Sequence, residues 1–412
     1  MAVIIPFKAI RPRADLTERI AALPYDVYNS KEARAVVEKE PLSFLKIDRA
    51  ETAFEEGTSP YEDKVYTKAH DMLWDMFDKG EFVQDEKAGY YIYELTMDGR
   101  SQTGIVACAS VDDYINDVIK KHENTRADKE EDRIRHVDTC GAQTGPIFIA
   151  YRKNDVIKEI TDRVKKSASA FDFTSDDGIG HRGWIIDDAG DIETIRDAFE
   201  KMDALYIADG HHRTASAAKV SLKRRQENPG YTGEEEFNYF LSVLFPDDEL
   251  RILDYNRVIK DLNGLTEEEL LSELEASFDV QKADAAVSPA QKGEFGLYLK
   301  NSGWYVLKAH DDIKSDDPVK GLDVSIIHDA FIAPVLGIED PKTDKRIDFV
   351  GGIRGLKELE RRANDDCVMA ISMYPTGIDE LFAVADAKLL MPPKSTWFEP
   401  KLRSGLFIHD IR

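Results

Sequence analysis

Five apolar residues, Ala204-Leu205-Tyr206-Ile207-Ala208, run directly into Asp209-Gly210-His211-His212-Arg213, and an alanine-rich stretch from Thr214 to Arg225 follows. A short apolar run closed by a turn signal reads as a buried strand, and the alanine-rich stretch reads as a helix. The chain must therefore accommodate a strand–turn–helix junction. The start of that helix presents unpaired N–H groups and the positive end of its dipole. Gly210 lets backbone approach a ligand closely. Arg213 adds a planar fork of donors that matches phosphate. Asp209 is placed to hold Mg²⁺ or to orient His211 or His212. Together these parts make an anion cradle. An Asp-Gly pair also makes ordinary turns, so residue types alone leave both readings open.

The rest of the chain supplies elements of both kinds. Tyr90 to Leu95 and Thr103 to Val111 flank Asp98-Gly99 as a hairpin. Helical spacing appears from Ser30 to Glu38, with Ser30 as the expected cap, from Tyr61 to Phe77 and from Val156 to Ser167. Pro146 to Tyr151, Gly183 to Ile186 and Tyr239 to Phe245 read as strands, and Gly178 to Gly183 as a flexible loop. Asp117 to His136 is a charged interruption. Beyond about residue 246 a second unit begins. Thr266-Glu267-Glu268-Glu269 is a capping box, Phe295–Leu299 and Trp304–Ala309 flank Asn301-Ser302-Gly303 as a hairpin, and Asp323 is the expected cap of a helix carrying Ile326, Ile327 and Phe331. Met391 to Phe398 packs Pro, Lys and hydroxyl residues and reads as a site loop. Strands and helices alternate without a strict βαβ period. A mixed α+β (α/β) architecture follows, with domains at 1–245 and 246–412.

Composition limits the partners. The 412 residues carry a net charge of −24, from 55 Lys+Arg against 79 Asp+Glu, which opposes broad binding to nucleic acid or an anionic membrane. No apolar run reaches the roughly 18–20 residues that span a bilayer. The N-terminus reads as a strand rather than a targeting peptide. Cys108, Cys140 and Cys367 are too scattered for a disulfide framework or a zinc site, and cytoplasm is the expected setting.

Several segments in order resemble a known family. Pro24-Tyr25-Asp26-Val27, His122-Glu123-Asn124-Thr125, Gly145-Pro146-Ile147-Phe148, the Asp-Gly-His-His-Arg turn and Pro393-Lys394-Ser395-Thr396 resemble the bacterial domain-of-unknown-function family ten-fifteen over nearly the whole chain. A narrower set is similar to free serine kinases of the ParB/sulfiredoxin-like superfamily. That resemblance implies a ParB/sulfiredoxin-like nucleotide-binding domain followed by a second α+β domain. It gives Glu123 the role of catalytic base, with His122 and Arg213 beside it. Asp209, Gly210, His211, His212, Arg213 and Thr214 inherit contacts to the nucleotide phosphates or Mg²⁺. Lys394, Ser395 and Thr396 inherit the substrate side, and Tyr25 and Asp26 lie in a family-like loop that would line the pocket. Trp397-Phe398 stands where the kinases carry Arg-His, and a long charged insert separates Glu123 from Pro146.

Glu123 also stands on its residue chemistry. Lys120, Lys121, Arg126 and Lys129 surround it in sequence and would keep it ionised, able to accept a proton from an alcohol attacking phosphorus. The competing reading of the same run is a solvated charged helix. The expected activity is phosphoryl transfer from ATP or ADP to the hydroxyl of a small metabolite, serine first. The alternatives are a CTP-binding, ParB-like regulatory protein and a scaffold that keeps only the fold.

Overall fold

The computed structural model describes residues 1–412. The chain divides into two compact units, Met1–Leu250 together with Pro400–Arg412, and Arg251–Glu399. The sequence reading gave everything after 245 to the second domain. Residues 400–412 instead belong to the first, because Leu402 to His409 is a continuously buried run that packs there.

The first unit is built on a nine-stranded mixed sheet. Its order is Ile119–Lys120, Leu205–Asp209, Ile147–Tyr151, Tyr239–Pro246, Arg100–Ser110, Tyr90–Met97, Gly180–Ile186 and Phe171–Thr174, with Ile4–Ile5 pairing off this path against Arg100–Ser110. The expected hairpin is present, and Asp98 (φ 53°) and Gly99 (φ 76°) both adopt the left-handed conformations that a two-residue turn requires. Gly180 to Gly183, read as loop, is the start of a strand paired on both sides.

One face of this sheet buries Ile92, Ile105, Ile147, Ile149, Leu205 and Ile207 against Ile157, Ile160, Ile195 and Phe199. Each such side chain contributes about 1.5–3 kcal/mol. Those last four sit on the helices Asp155–Val164 and Ala189–Glu200, which are capped by the side chains of Asn154 and Asp188. A second core gathers Phe44, Leu45, Leu73, Trp74, Met76 and Cys140 under the N-terminal helices Ser30–Lys39, Leu45–Asp48 and Asp63–Asp78. The Ser30–Lys39 helix is capped by Asn29, in a capping box with Glu32, and not by Ser30.

The second unit carries a six-stranded antiparallel sheet, ordered Phe278–Lys282, Gly303–Ala309, Glu294–Leu299, Met369–Ser372, Tyr255–Ile259 and Ile347–Gly351. The Thr266 capping box forms. Asp323 does not cap its helix. Both its oxygens accept the Gly293 N–H at 3.0 Å, and burial raises its carboxyl to about 6. No helix is long and apolar enough to cross a membrane.

Candidate functional site

The strand Leu205–Asp209 pairs regularly with Ile147–Tyr151 until Ile207, where the register shifts so that Asp209 opposes Phe148. Such a bulge bends the strand and re-aims the last residue. Gly210 follows at φ 98° and serves as N-cap of the helix His211–Glu227, with no side chain capping that end. A Cβ on Gly210 would lie 3.2 Å from Arg213 Nε and 3.3 Å from its Nη2. Glycine is thus required twice, for the left-handed backbone and for the space that Arg213 fills. The helix begins at His211, three residues before the expected start. Thr214 donates its hydroxyl to the Gly210 carbonyl at 3.1 Å and lies buried inside the first turn.

The paired histidines reach across to another segment. His211 Nε2 accepts the backbone N–H of His122 at 3.5 Å, and the two rings meet edge to face at 4.5 Å. His212 Nε2 accepts the backbone N–H of Arg126 at 3.0 Å. A ring nitrogen that accepts must carry a lone pair, so both imidazoles are neutral in this arrangement. Burial drives His211 well below the usual histidine range, helped by His122. Burial also lowers His212, against the opposing pull of Asp26. His122 is pushed down to about 4 by burial, with Asp209 pulling the other way, and its Nδ1 is buried without a partner. The loop between Lys120 and Ala127 is thus fastened to the turn by two hydrogen bonds. Glu123, half-buried, lies on the fastened loop.

Asp209 Oδ2 receives the Lys401 ammonium at 2.7 Å. Burial works to raise this carboxyl, but Lys401 and then Arg213 outweigh it and hold it well below the carboxylate range. Arg213 directs Nη1 to the Pro146 carbonyl rather than to a carboxylate. It borders a cavity of about 30 Å³, room for one or two waters, shared with Tyr25, Asp48, Arg133 and Ser404. Tyr25, Asp48, Arg133 and His136 also line a wider cleft of about 420 Å³ that includes Asp26, Tyr61 and Tyr66. The Arg133 guanidinium lies 4.0 Å from the Tyr25 ring centre, and burial pushes the Tyr25 phenol up to about 12. Asp132 accepts from Tyr66 Oη at 2.9 Å and from Arg133.

The turn, the His122–Glu123 loop, Tyr25 and Asp26 thus come together within the first unit. Lys394, Ser395 and Thr396 belong to the second. There Lys394 adopts φ 60°, Ser395 Oγ donates to the Pro392 carbonyl at 2.7 Å, and the Ser395 carbonyl accepts from Thr376 Oγ1 at 2.9 Å. Sequence reasoning missed Lys401, Asp48 and Arg133. Of these only Lys401 had a signal, since it precedes an apolar-rich run that has to be buried somewhere.

The Mg²⁺ expectation meets a different arrangement. No three His, Cys, Asp or Glu side chains cluster in a way that suits a metal ion. Asp209, the expected ligand, is bonded to an ammonium instead. These residues do not fit a resident Mg²⁺, which takes oxygen ligands in near-octahedral geometry.

No curated protein matches the chain. Among solved structures, a free serine kinase in complex with AMP is similar at 15% identity and TM-score 0.37, covering 75% of this chain and 91% of that one. A mutant free serine kinase in complex with ADP is similar at 14% identity and TM-score 0.37, covering 75% and 92%. SbnI with C-terminal truncation from Staphylococcus aureus is similar at 10% identity and TM-score 0.37, covering 71% and 82%. A family model described as "Protein of unknown function (DUF1015)" matches residues 4–325, and the chain belongs to that family.

Proposed function

We propose that the first unit is a nucleotide-dependent phosphotransferase with a ParB/sulfiredoxin-like fold, acting on the hydroxyl of a small metabolite, serine the leading candidate. One observation carries the reading. The rings of His211 and His212 tie the loop bearing Glu123 to the glycine turn at the start of the His211–Glu227 helix, although about ninety residues separate the two segments. A carboxylate and an uncapped helix N-terminus beside an arginine are the parts that phosphoryl transfer to an alcohol needs. The order of motifs that resembles free serine kinases supports the same assignment.

In this reading the phosphates of ATP or ADP lie over Gly210 to Arg213. Free N–H groups of the first helical turn and the Arg213 guanidinium stabilise charge on the moving phosphoryl group. Glu123 takes the proton of the attacking hydroxyl. The cleft lined by Tyr25 and Asp26 holds substrate or nucleoside; Lys394, Ser395 and Thr396 belong to the second unit and have no role in this reading. Purified protein incubated with ATP, ADP or CTP and a panel of hydroxylated metabolites, read by mass spectrometry, identifies donor and acceptor. Glu123→Gln then lowers kcat by roughly 10²–10⁴ while ADP affinity, measured by calorimetry, stays within about threefold. A variant with the wild-type rate removes Glu123 from the mechanism. Turnover of no metabolite, together with CTP-dependent retardation of DNA, favours the regulatory alternative.

A further inference from the structure

We infer that Lys401 is the second cation of the anion site, and that Asp209 is the positioning carboxylate of that lysine rather than a metal ligand. The inference rests on the phosphotransferase reading and adds to it a residue outside every motif.

Charge around the turn carries the argument. His211 and His212 accept hydrogen bonds and are neutral. The charged groups of the turn are then Asp209 and Arg213, which cancel. A neutral turn by itself offers a phosphate little beyond the helix dipole, worth only about half an elementary charge. Lys401 changes this balance. Its Nζ lies 2.7 Å from Asp209 Oδ2, the lysine side chain 19% exposed and the aspartate 35%. With Lys401 counted, the turn carries one net positive charge beside the helix end. An ammonium can bond a carboxylate and a phosphate oxygen at once, because its protons point in three directions.

Lys401 is also held by its neighbours rather than dangling. Arg403, almost fully buried, is ion-paired with Asp177 and donates to Ser175 Oγ at 3.0 Å. Ser404 exchanges backbone hydrogen bonds with Ala22 at 2.8 and 3.2 Å. The Phe407 ring packs 5.3 Å from Tyr91 and 6.0 Å from Tyr93. Ile408 pairs with Ile10. A lysine on so fixed a backbone loses little further freedom when it meets a ligand. Asp209, aimed by the strand bulge, fixes the other end of its side chain.

The test is calorimetry of the full chain with inorganic pyrophosphate and with ADP, each in EDTA and again with MgCl₂. Lys401→Met weakens pyrophosphate and ADP binding in EDTA by about tenfold or more, one charge-assisted contact by the usual scale, and Lys401→Arg stays within about threefold. If Asp209 acts through Lys401, Asp209→Asn weakens binding in the wild-type background but adds less than about twofold in the Lys401→Met background. Unchanged affinity in Lys401→Met, alongside a loss in Arg213→Met, overturns the inference and leaves the phosphotransferase reading standing. So does an Asp209→Asn variant that loses only the enhancement given by Mg²⁺. A wild-type chain that binds neither probe at millimolar concentration takes down the reading itself. Should Lys401→Met fail to fold, reductive methylation of the wild type with mass-spectrometric mapping decides: pyrophosphate slows labelling of Lys401 if the inference is right and leaves it unchanged if it is wrong.

Discussion

Asp209–Arg213 in the first unit and Pro392–Thr396 in the second are both tight turns with a residue in the left-handed region and a cation from a distant part of the chain attached, yet they settle that cation in opposite ways. In the first, charge is matched by charge, with the Lys401 ammonium on the Asp209 carboxylate. In the second, Arg257 is 4% exposed and meets no carboxylate. Its guanidinium donates to the Tyr255 and Lys394 carbonyls and lies 5.5 Å from the Phe349 ring centre. Burial pulls its pKa down to about 10. Ion-paired groups can exchange one partner for a ligand of the same sign. A cation satisfied by carbonyls and aromatic faces has nothing to exchange, and it behaves as a rivet that holds the Lys394 backbone in place. The comparison separates a turn whose cation keeps an exchangeable ion pair from one whose cation is fixed by carbonyls.

Three substitutions bear on this contrast. The largest effect belongs to Gly210→Ala, which places a Cβ at positive φ and against Arg213. It should destabilise the first unit by about 1–3 kcal/mol in thermal unfolding and weaken pyrophosphate binding as well. Full retention of both would mean that the turn is not tightly specified. Arg257→Met comes next. Two carbonyls lose their donor, at about 1–3 kcal/mol, less whatever is recovered by no longer burying a charge. The sharper readout is sulfate: if it stabilises the wild type no more than Arg257→Met, the rivet account holds. If it selectively stabilises the wild type, Arg257 is an anion site too and the contrast collapses. Lys394→Gly is the smallest. Relief of the left-handed backbone is offset by a more flexible unfolded chain, for a net gain of at most about 1 kcal/mol. A clear loss would show that the lysine side chain contributes to folding.

Local signals predicted local structure well. The 90–110 hairpin, the strand ending at Asp209, the helix after it and the Thr266 capping box all rest on residues within a few positions of one another. The failures involve partners far along the chain. Ala127–Cys140 is so polar that it reads as solvated, yet Glu130, Asp132, Arg133 and His136 are buried in it. Each finds a group that periodicity does not see: Lys219 and Thr125 for Glu130, Tyr66 and Arg133 for Asp132, Tyr25 for Arg133, and the Ile47 carbonyl for His136. At the site, the turn announced itself through glycine and arginine. The docking of the 121–126 loop on two imidazoles had no local signature, because it uses backbone donors that every residue carries. The apolar run after Lys401 signals burial but not the lysine's partner, because that carboxylate lies 192 positions earlier.

The second unit opens and closes on paired strands, Ile252–Leu253 running antiparallel to Trp397–Phe398, with the Glu399 N–H on the Arg251 carbonyl. Once that unit has folded, its entrance and exit stand side by side. The first unit then regains Lys401 and the buried segment behind it without the entropy of closing a long loop, a cost that grows as about (3/2)RT ln n when the intervening chain is loose. On the ribosome this fixes an order of events, because residues 400–412 emerge only after the whole second unit has been made. The docking of residues 400–412 on the first unit should thus rise and fall with the integrity of the second, by connectivity alone.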